Sequence, residues 1–250
     1  MRPEHILLLG GTLEGRRAAQ ALVARGLRVT FSLAGVTERP VLPAGVALRT
    51  GGFGGVEGLA AWIVSHGVSA VVDATHPFAA DMGRNVHAAA AMTGVPLVRL
   101  ERPPWCPRRG DRWILASSLD AAARMVPPRV RVMSWLGARG LAALSGRGDL
   151  WLVARLVGRP PFPVPPRWRI LRERPRRGVA GELALLRGVR AEVAVCRNSG
   201  GFSGRGRVEA ARLLGLPVVM VARPERPAAS LARNVEELIP LLEAKLSNSL

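Results

Sequence analysis

The sequence predicts an α/β protein with two domains, each built on a mainly parallel sheet covered by helices. Three observations carry that expectation. Short apolar runs alternate with helical segments from the first residues onward. The helices close at glycines, and 250 residues are enough for two separate cores. Strands are expected near 5–9, 28–34, 46–50, 69–75 and 95–100, with helices near 14–25, 56–66 and 79–93 between them. These helices end at Gly26, Gly67 and Gly94, where a left-handed C-cap favours a residue without Cβ. Glu101-Arg102-Pro103-Pro104-Trp105 then breaks the alternation, because consecutive prolines offer no backbone donors, and it sets the expected boundary between a domain at 1–103 and one at 104–250.

The second stretch repeats the style. Strands are expected near 113–116, 130–135, 150–157, 168–172, 191–197 and 217–222, and helices near 118–126, 179–187, 204–214 and 230–246. The run Arg159-Pro160-Pro161-Phe162-Pro163-Val164-Pro165-Pro166 suits neither helix nor central strand and reads as an extended connection.

Composition narrows the function. With 48% hydrophobic residues and no apolar run near the ~20 residues a spanning helix needs, the chain reads as soluble, with no membrane partner. Met1-Arg2-Pro3-Glu4-His5 leads straight into Ile6-Leu7-Leu8-Leu9, too short for a signal-peptide core, so a cytoplasmic protein is expected. Cys106 and Cys196 provide neither a disulfide framework nor paired zinc knuckles, and no metal is expected. The net charge is +18, and Lys245 is the only lysine among 36 basic residues. Arginine-favouring codons in a GC-rich genome account for part of that charge. Its distribution is more informative: residues 1–103 carry 10 basic and 7 acidic residues, while 104–250 carry 26 and 11. The second half is therefore expected to face an anion, either nucleic acid or a small polycarboxylate or polyphosphate. Five of the six tryptophans lie in that half and could stack bases, although tryptophans on strands are more often core.

Two strand ends in the first half carry the chemistry. Gly10-Gly11-Thr12-Leu13-Glu14-Gly15 follows the first strand and opens the first helix. Two glycines there let backbone approach a pyrophosphate, and the helix N-terminus adds partial positive charge. The spacing departs from Gly-x-Gly-x-x-Gly, and an ordinary glycine turn is the competing reading. Val71-Val72-Asp73-Ala74-Thr75-His76-Pro77-Phe78-Ala79 ends the fourth strand in an acceptor, a hydroxyl and an imidazole, a density that a capped strand end does not need. Ser32-Leu33-Ala34-Gly35-Val36-Thr37 closes the second strand without the carboxylate an NAD site places there. Ser32, Thr37 and Arg39 could accept a 2′-phosphate, so NADP is favoured. Gly51-Gly52-Phe53-Gly54-Gly55 is expected to line the same crevice. In the second half, Arg197-Asn198-Ser199-Gly200-Gly201 precedes a helix bearing Arg205 and Arg207, and Arg223-Pro224 ends the next strand. This combination makes an anion site or, on the competing reading, two solvated loops.

Gly-Gly-Thr-x-Glu at 10–14, Ser-Leu-Ala-Gly at 32–35, Gly-Gly-Phe-Gly-Gly at 51–55 and Asp-Ala-Thr-His-Pro-Phe-Ala at 73–79 are followed by Glu-Arg-Pro-Pro-Trp at 101–105, Asn-Ser-Gly-Gly at 198–201 and Leu-Pro-Val-Val-Met-Val-x-Arg-Pro at 216–224. In this order they resemble the precorrin-6x reductases of cobalamin (vitamin B12) biosynthesis. The resemblance spans nearly the whole chain. It implies two Rossmann-like domains with a cleft between them, and reduction of precorrin-6A to precorrin-6B by hydride from NADPH. A tetrapyrrole polycarboxylate would explain an arginine-rich half.

Motifs and resemblance together assign Asp73, Thr75 and His76 to the reacting end. Gly10, Gly11, Thr12, Glu14, Gly15, Ser32, Ala34, Gly35, Thr37, Arg39, Gly52, Phe53, Gly54 and Thr75 are assigned to the cofactor. Arg102, Trp105, Arg174, Arg197, Asn198, Ser199, Gly200, Gly201, Arg207 and Arg223 are assigned to the substrate. Three departures stand out: Arg174-Pro175-Arg176-Arg177 replaces the family's Arg-Gly-Pro-Phe, Arg197 and Arg207 replace lysines, and Val36 stands where an arginine often follows Ser-Leu-Ala-Gly. A cobalt-containing substrate, another Rossmann enzyme and a nucleic-acid-binding protein are the alternatives. The absence of tyrosine excludes a Tyr-x-x-x-Lys pair, and the strongest motifs lie in the nearly neutral half. A monomer is favoured over an oligomer.

Overall fold

Ile6, Leu7, Leu8 and Leu9 form an unbroken apolar strand because both faces of the sheet they join are covered by helices, as in parallel sheets generally. The structure, a computed structural model, describes residues 3–35, 42–156, 158–160, 162–173 and 178–247. In chain order the elements are β1 (His5–Leu9), α1 (Leu13–Val23), β2 (Arg28–Leu33), β3 (Ala47–Thr50), α2 (Gly55–Ser65), β4 (Ala70–Asp73), α3 (Ala80–Thr93) and β5 (Leu97–Leu100). The chain then builds β6 (Trp113–Ala116), α4 (Leu119–Met125), β7 (Arg131–Ser134), α5 (Gly137–Leu141), β8 (Trp151–Leu156), β9 (Trp168–Arg172), α6 (Gly178–Gly188), β10 (Val193–Arg197), α7 (Arg205–Leu213) and β11 (Val218–Val221). It finishes with β12 (Ser230–Ala232) and α8 (Val235–Ser247).

These elements form two units, residues 1–103 with 225–250, and residues 104–224. The last 26 residues thus differ from the sequence expectation, which gave everything after 103 to the second domain. β12 pairs in parallel with β5, Ser230 opposite Val98. Ala232, Leu238, Ile239 and Leu242 are buried in one core with Ile6, Leu8, Val72 and Leu100. A helical apolar stripe announces that a face will be covered, not which sheet covers it.

All pairings in both sheets are parallel. The first sheet runs β12-β5-β4-β1-β2-β3 and the second β6-β11-β10-β7-β8-β9. The first sheet starts at its central strand β1, winds out to the β3 edge and crosses back to the other side; the second is entered at the β6 edge, passes to central β7, winds out to β9 and crosses back to β10. In the second sheet the outermost place beyond β11 is filled by β6, the strand that enters first. The chain reverses direction between β1 and β4 in one unit and between β7 and β10 in the other.

Local sequence explains how the helices reach the sheet. Thr12 caps α1 by accepting from Gly15 N at 3.0 Å, and Gly15, Ala18, Ala19 and Leu22 form its buried stripe. A Cβ on Gly15 would come within 3.1 Å of Ala74 Cβ, so glycine lets α1 lie close to the end of β4. Burying Leu22 contributes roughly 1.5–3 kcal/mol. Leu185, Leu186, Val208, Ala210 and Ala211 do the same work for the second sheet, against Met133, Ala194 and Met220. The short α5 and the 3-10 turn at Ala142–Leu144 were not anticipated from the sequence, because Gly137 and Gly140 interrupt any helical signal.

Candidate functional site

In doubly wound sheets, ligands bind outside the carboxyl ends of the strands where the order reverses. In the first unit that point lies between β1 and β4, and both leading motifs meet there. Gly10 N donates to Ser32 O at 2.8 Å, tying the turn to the end of β2. A Cβ on Gly10 would overlap the Phe31 ring. Gly11 has φ +125, and nothing lies within 4 Å of where its Cβ would be. Only glycine takes that conformation without strain, and the space above it is open to a ligand. Thr12 is buried, donating to Ala74 O at 2.8 Å while accepting from Gly15, so its hydroxyl joins turn to strand. Glu14 is ion-paired with Arg102 at 2.7 Å. Arg102 thus sits beside the glycine turn.

The residues assigned to the reacting end divide into two kinds. Asp73 is fully buried. Its Oδ1 accepts from Thr75 N at 3.1 Å and Thr75 Oγ1 at 2.6 Å, while Oδ2 pairs with Arg226 and lies 3.7 Å from Arg99 Nε. Arg226 also donates to Glu101 Oε2 at 2.9 Å, and Arg99 to Pro227 O at 2.9 Å. Two guanidinium groups and two carboxylates therefore lock together, with Thr75 held beneath. Burial of Arg99, with Arg226 nearby, lowers its pKa from the usual arginine value. Asp73 and Thr75 are placed to fix the loop, whereas His76 keeps a partly exposed ring. Its Nδ1 accepts from Phe78 N at 3.2 Å, so the neutral ring carries its proton on Nε2. Sequence reasoning missed Arg226 because it had assigned that segment to the other domain. Gly83 signals the contact, since a Cβ there would overlap the Arg226 guanidinium.

Beside the glycine turn, Ser32 at the end of β2 faces Arg49 of β3 in register. Ser32 is buried. Arg49 donates to Gly51 O and Gly52 O, both at 2.7 Å, and to Ser32 Oγ at 3.5 Å, with its guanidinium 3.5 Å from the centre of the Phe53 ring. Gly52 and Gly54 leave open space beside this group, as Gly11 does. Ala34 and Gly35 follow at the end of β2. Thr37 and Arg39, like Arg174 of the other unit, lie outside the described residues.

The second unit repeats the geometry between β7 and β10. Arg197 ends β10, and its Nη2 would sit 3.2 Å from a Cβ on Gly137, which follows β7. Burial lowers the Arg197 pKa, and the charges of Arg207 and Arg139 lower it further. Arg207 donates to Gly204 O at 3.2 Å and stacks 5.9 Å from the Trp135 ring centre. Asn198 and Trp105 exchange two hydrogen bonds, Trp105 N to Oδ1 at 2.8 Å and Nδ2 to Trp105 O at 2.9 Å, and Trp105 Nε1 donates to Gly201 O at 2.8 Å. Arg223 donates to Asn198 O at 3.0 Å and Ser199 O at 3.3 Å. Arg197, Asn198, Ser199, Gly200, Gly201, Arg207, Arg223 and Trp105 are therefore one cluster, in which Asn198, Trp105 and Arg223 shape the loop and Arg197 and Arg207 bring charge. Trp135 and Arg139 are additions that sequence reasoning missed. Among the described residues, Ser134 Oγ and Trp135 Nε1 are buried without a hydrogen-bond partner.

A doubly wound parallel sheet with a glycine turn at its switch point defines a Rossmann-like type of α/β protein. The family model described as precorrin-6x reductase CbiJ/CobK matches residues 5–243. The chain belongs to that precorrin-6x reductase family. It is 44% identical over 227 residues to the precorrin-6A reductase of Rhodococcus erythropolis, covering 90% of this chain and 91% of the relative. It is 28% identical over 251 residues to the cobalt-precorrin-6A reductase of Priestia megaterium, covering 95% and 97%. A solved structure titled CobK precorrin-6A reductase superposes with a TM-score of 0.91 at 39% identity, covering 97% of each chain.

Proposed function

We propose that this chain reduces precorrin-6A to precorrin-6B in cobalamin biosynthesis, using NADPH. The observation that carries the reading is a division of charge between two switch points of like topology. The 104–224 unit bears 23 basic and 7 acidic residues, and the remainder of the chain 13 and 11. A near-neutral unit with an open glycine turn suits a dinucleotide, and a unit of net +16 suits a macrocycle carrying many carboxylates. Relatives named for precorrin-6A match at 40–44% identity, and those named for the cobalt form at 28–33%, which favours the metal-free substrate.

The first unit fits the cofactor. Gly10 and Gly11 would admit the pyrophosphate at the N-terminus of α1, and Gly52, Phe53 and Gly54 would flank the adenosine half. When bound, NADPH supplies the hydride. The protein then has to hold the substrate face, exclude water and manage one proton. Of the three residues assigned to the reacting end, His76 is the one to meet the nicotinamide region, because Asp73 and Thr75 are occupied with Arg226 and each other. Arg139, Arg197 and Arg207 would receive substrate carboxylates, with Trp135 as an apolar floor.

Anaerobic incubation with NADPH and precorrin-6A tests the reading. Loss of one NADPH per macrocycle, with the substrate's spectral change, is expected. Turnover with cobalt-precorrin-6A alone would move the assignment to the cobalt branch, and no substrate-dependent oxidation of NADPH would end it.

A further inference from the structure

We infer that Arg49 is the residue by which this protein selects a nucleotide bearing a ribose 2′-phosphate. The inference rests on the proposal that NADPH binds the first unit, and it names a residue that the sequence motifs did not. The carboxyl end of β2 is where an enzyme of this type reads the ribose of the adenosine half. Ser32 marks that end and is only 5% exposed, so its hydroxyl alone offers little to a ligand. The group standing over it is Arg49, its register partner on β3.

Arg49 is held in place before any ligand arrives. Two carbonyls, Gly51 and Gly52, each accept from it at 2.7 Å, and Phe53 supports the guanidinium face at 3.5 Å. A planar guanidinium fixed this way loses little freedom on binding an oxyanion. Among the described residues no carboxylate pairs with it, in contrast to Arg99, Arg102 and Arg226 of the same unit. Its three hydrogen bonds engage the two Nη atoms and leave Nε to donate. Partial burial lowers the Arg49 pKa from the usual arginine value, but the group remains a cation at neutral pH.

A purely architectural Arg49 would hold the Gly51-Gly52 carbonyls and do no more. The two roles separate by what they do to nucleotides with and without the 2′-phosphate. Titration of wild type, Arg49→Gln and Arg49→Lys with NADPH, NADH, 2′,5′-ADP and 5′-AMP, read as ligand fluorescence or heat, distinguishes them. Arg49→Gln is expected to weaken NADPH and 2′,5′-ADP by about ten to a hundredfold. NADH and 5′-AMP should bind as in wild type, and Arg49→Lys should fall between. An equal loss for all four ligands assigns Arg49 to loop architecture and overturns the inference, as does an unchanged NADPH preference in a folded Arg49→Gln. A wild type that binds NADPH and NADH alike overturns the NADPH reading itself, whatever Arg49 does.

Discussion

The two units share the order of five of their six strands and differ in how the arginines around their switch points are held. In the first, Arg99, Arg102 and Arg226 are matched with Asp73, Glu14 and Glu101, so charge is spent on shape and the loop after β4 is fixed. In the second, Arg147, Arg155 and Arg212 are ion-paired away from the switch point, but around it Arg223 bonds backbone carbonyls, Arg207 lies against Trp135, and burial lowers the Arg197 pKa with its like-charged neighbours adding to the lowering. The comparison teaches that net charge is a poor guide to binding until each cation's partner is known. Assigning residues 225–250 to the first unit sharpens the contrast to net +2 against +16.

Breaking the matched side should have the largest effect. Arg226→Ala would leave the fully buried Asp73 with Arg99 at 3.7 Å as its remaining cation. A loss of about 3–5 kcal/mol of stability is expected in denaturant unfolding. A loss below about 1 kcal/mol would show that the network is dispensable. On the charged side, Arg207→Ala should leave stability nearly unchanged while raising the substrate KM by about ten to a hundredfold, with kcat less affected, since a peripheral carboxylate contact exists in ground and transition states alike. A fall confined to kcat would place Arg207 at the reacting centre instead.

The smallest effect concerns pH. His5 is buried at the start of β1, its Nδ1 donating to His66 O at 2.9 Å and its Nε2 accepting from Thr30 Oγ1 at 2.8 Å. Burial lowers its pKa below 6.5, the His66 carbonyl offsets part of that, and the charge of Arg28 adds to the lowering. Because the unfolded chain then takes up a proton that the folded one refuses, stability contributed by neutral His5 is present above pH 6.5 and lost as the pH falls from there toward the folded value. Unfolding midpoints of wild type and His5→Gln compared at pH 7.5 and 5.5 should show a steeper acid decline in the wild type. Parallel declines would remove His5 from the account.

Most of this fold was legible in the sequence, because the apolar period and the glycine ends of helices are local signals. The positive φ of Gly26, Gly67 and Gly94 is what those ends required. The misplaced segment was β12 with α8, whose partner strand lies about 130 residues earlier and leaves no local trace. The site followed the same rule. Gly11 and His76 stood in recognisable turns, and so did Asn198. Arg49, Arg99, Arg139 and Arg226 did not, since each is one arginine among many and acquires meaning only from what register or crossover places beside it. Asp73 ends β4 beside the switch point, and its burial with Arg226 and Arg99 is a feature that no motif could reveal.

The account's central claim is that the first unit holds the cofactor and the second holds the substrate's charge. Fluorescence titration of NADPH into wild type, Gly11→Val and an Arg139→Ala/Arg207→Ala double variant tests it directly. A branched side chain at Gly11 would be strained at φ +125 and would fill the space a pyrophosphate needs, so affinity should fall by about a hundredfold or more. The double variant should bind NADPH within about twofold of wild type, both arginines belonging to the other unit. Normal binding by a folded Gly11→Val, or a loss in the double variant as large as that in Gly11→Val, would contradict the division.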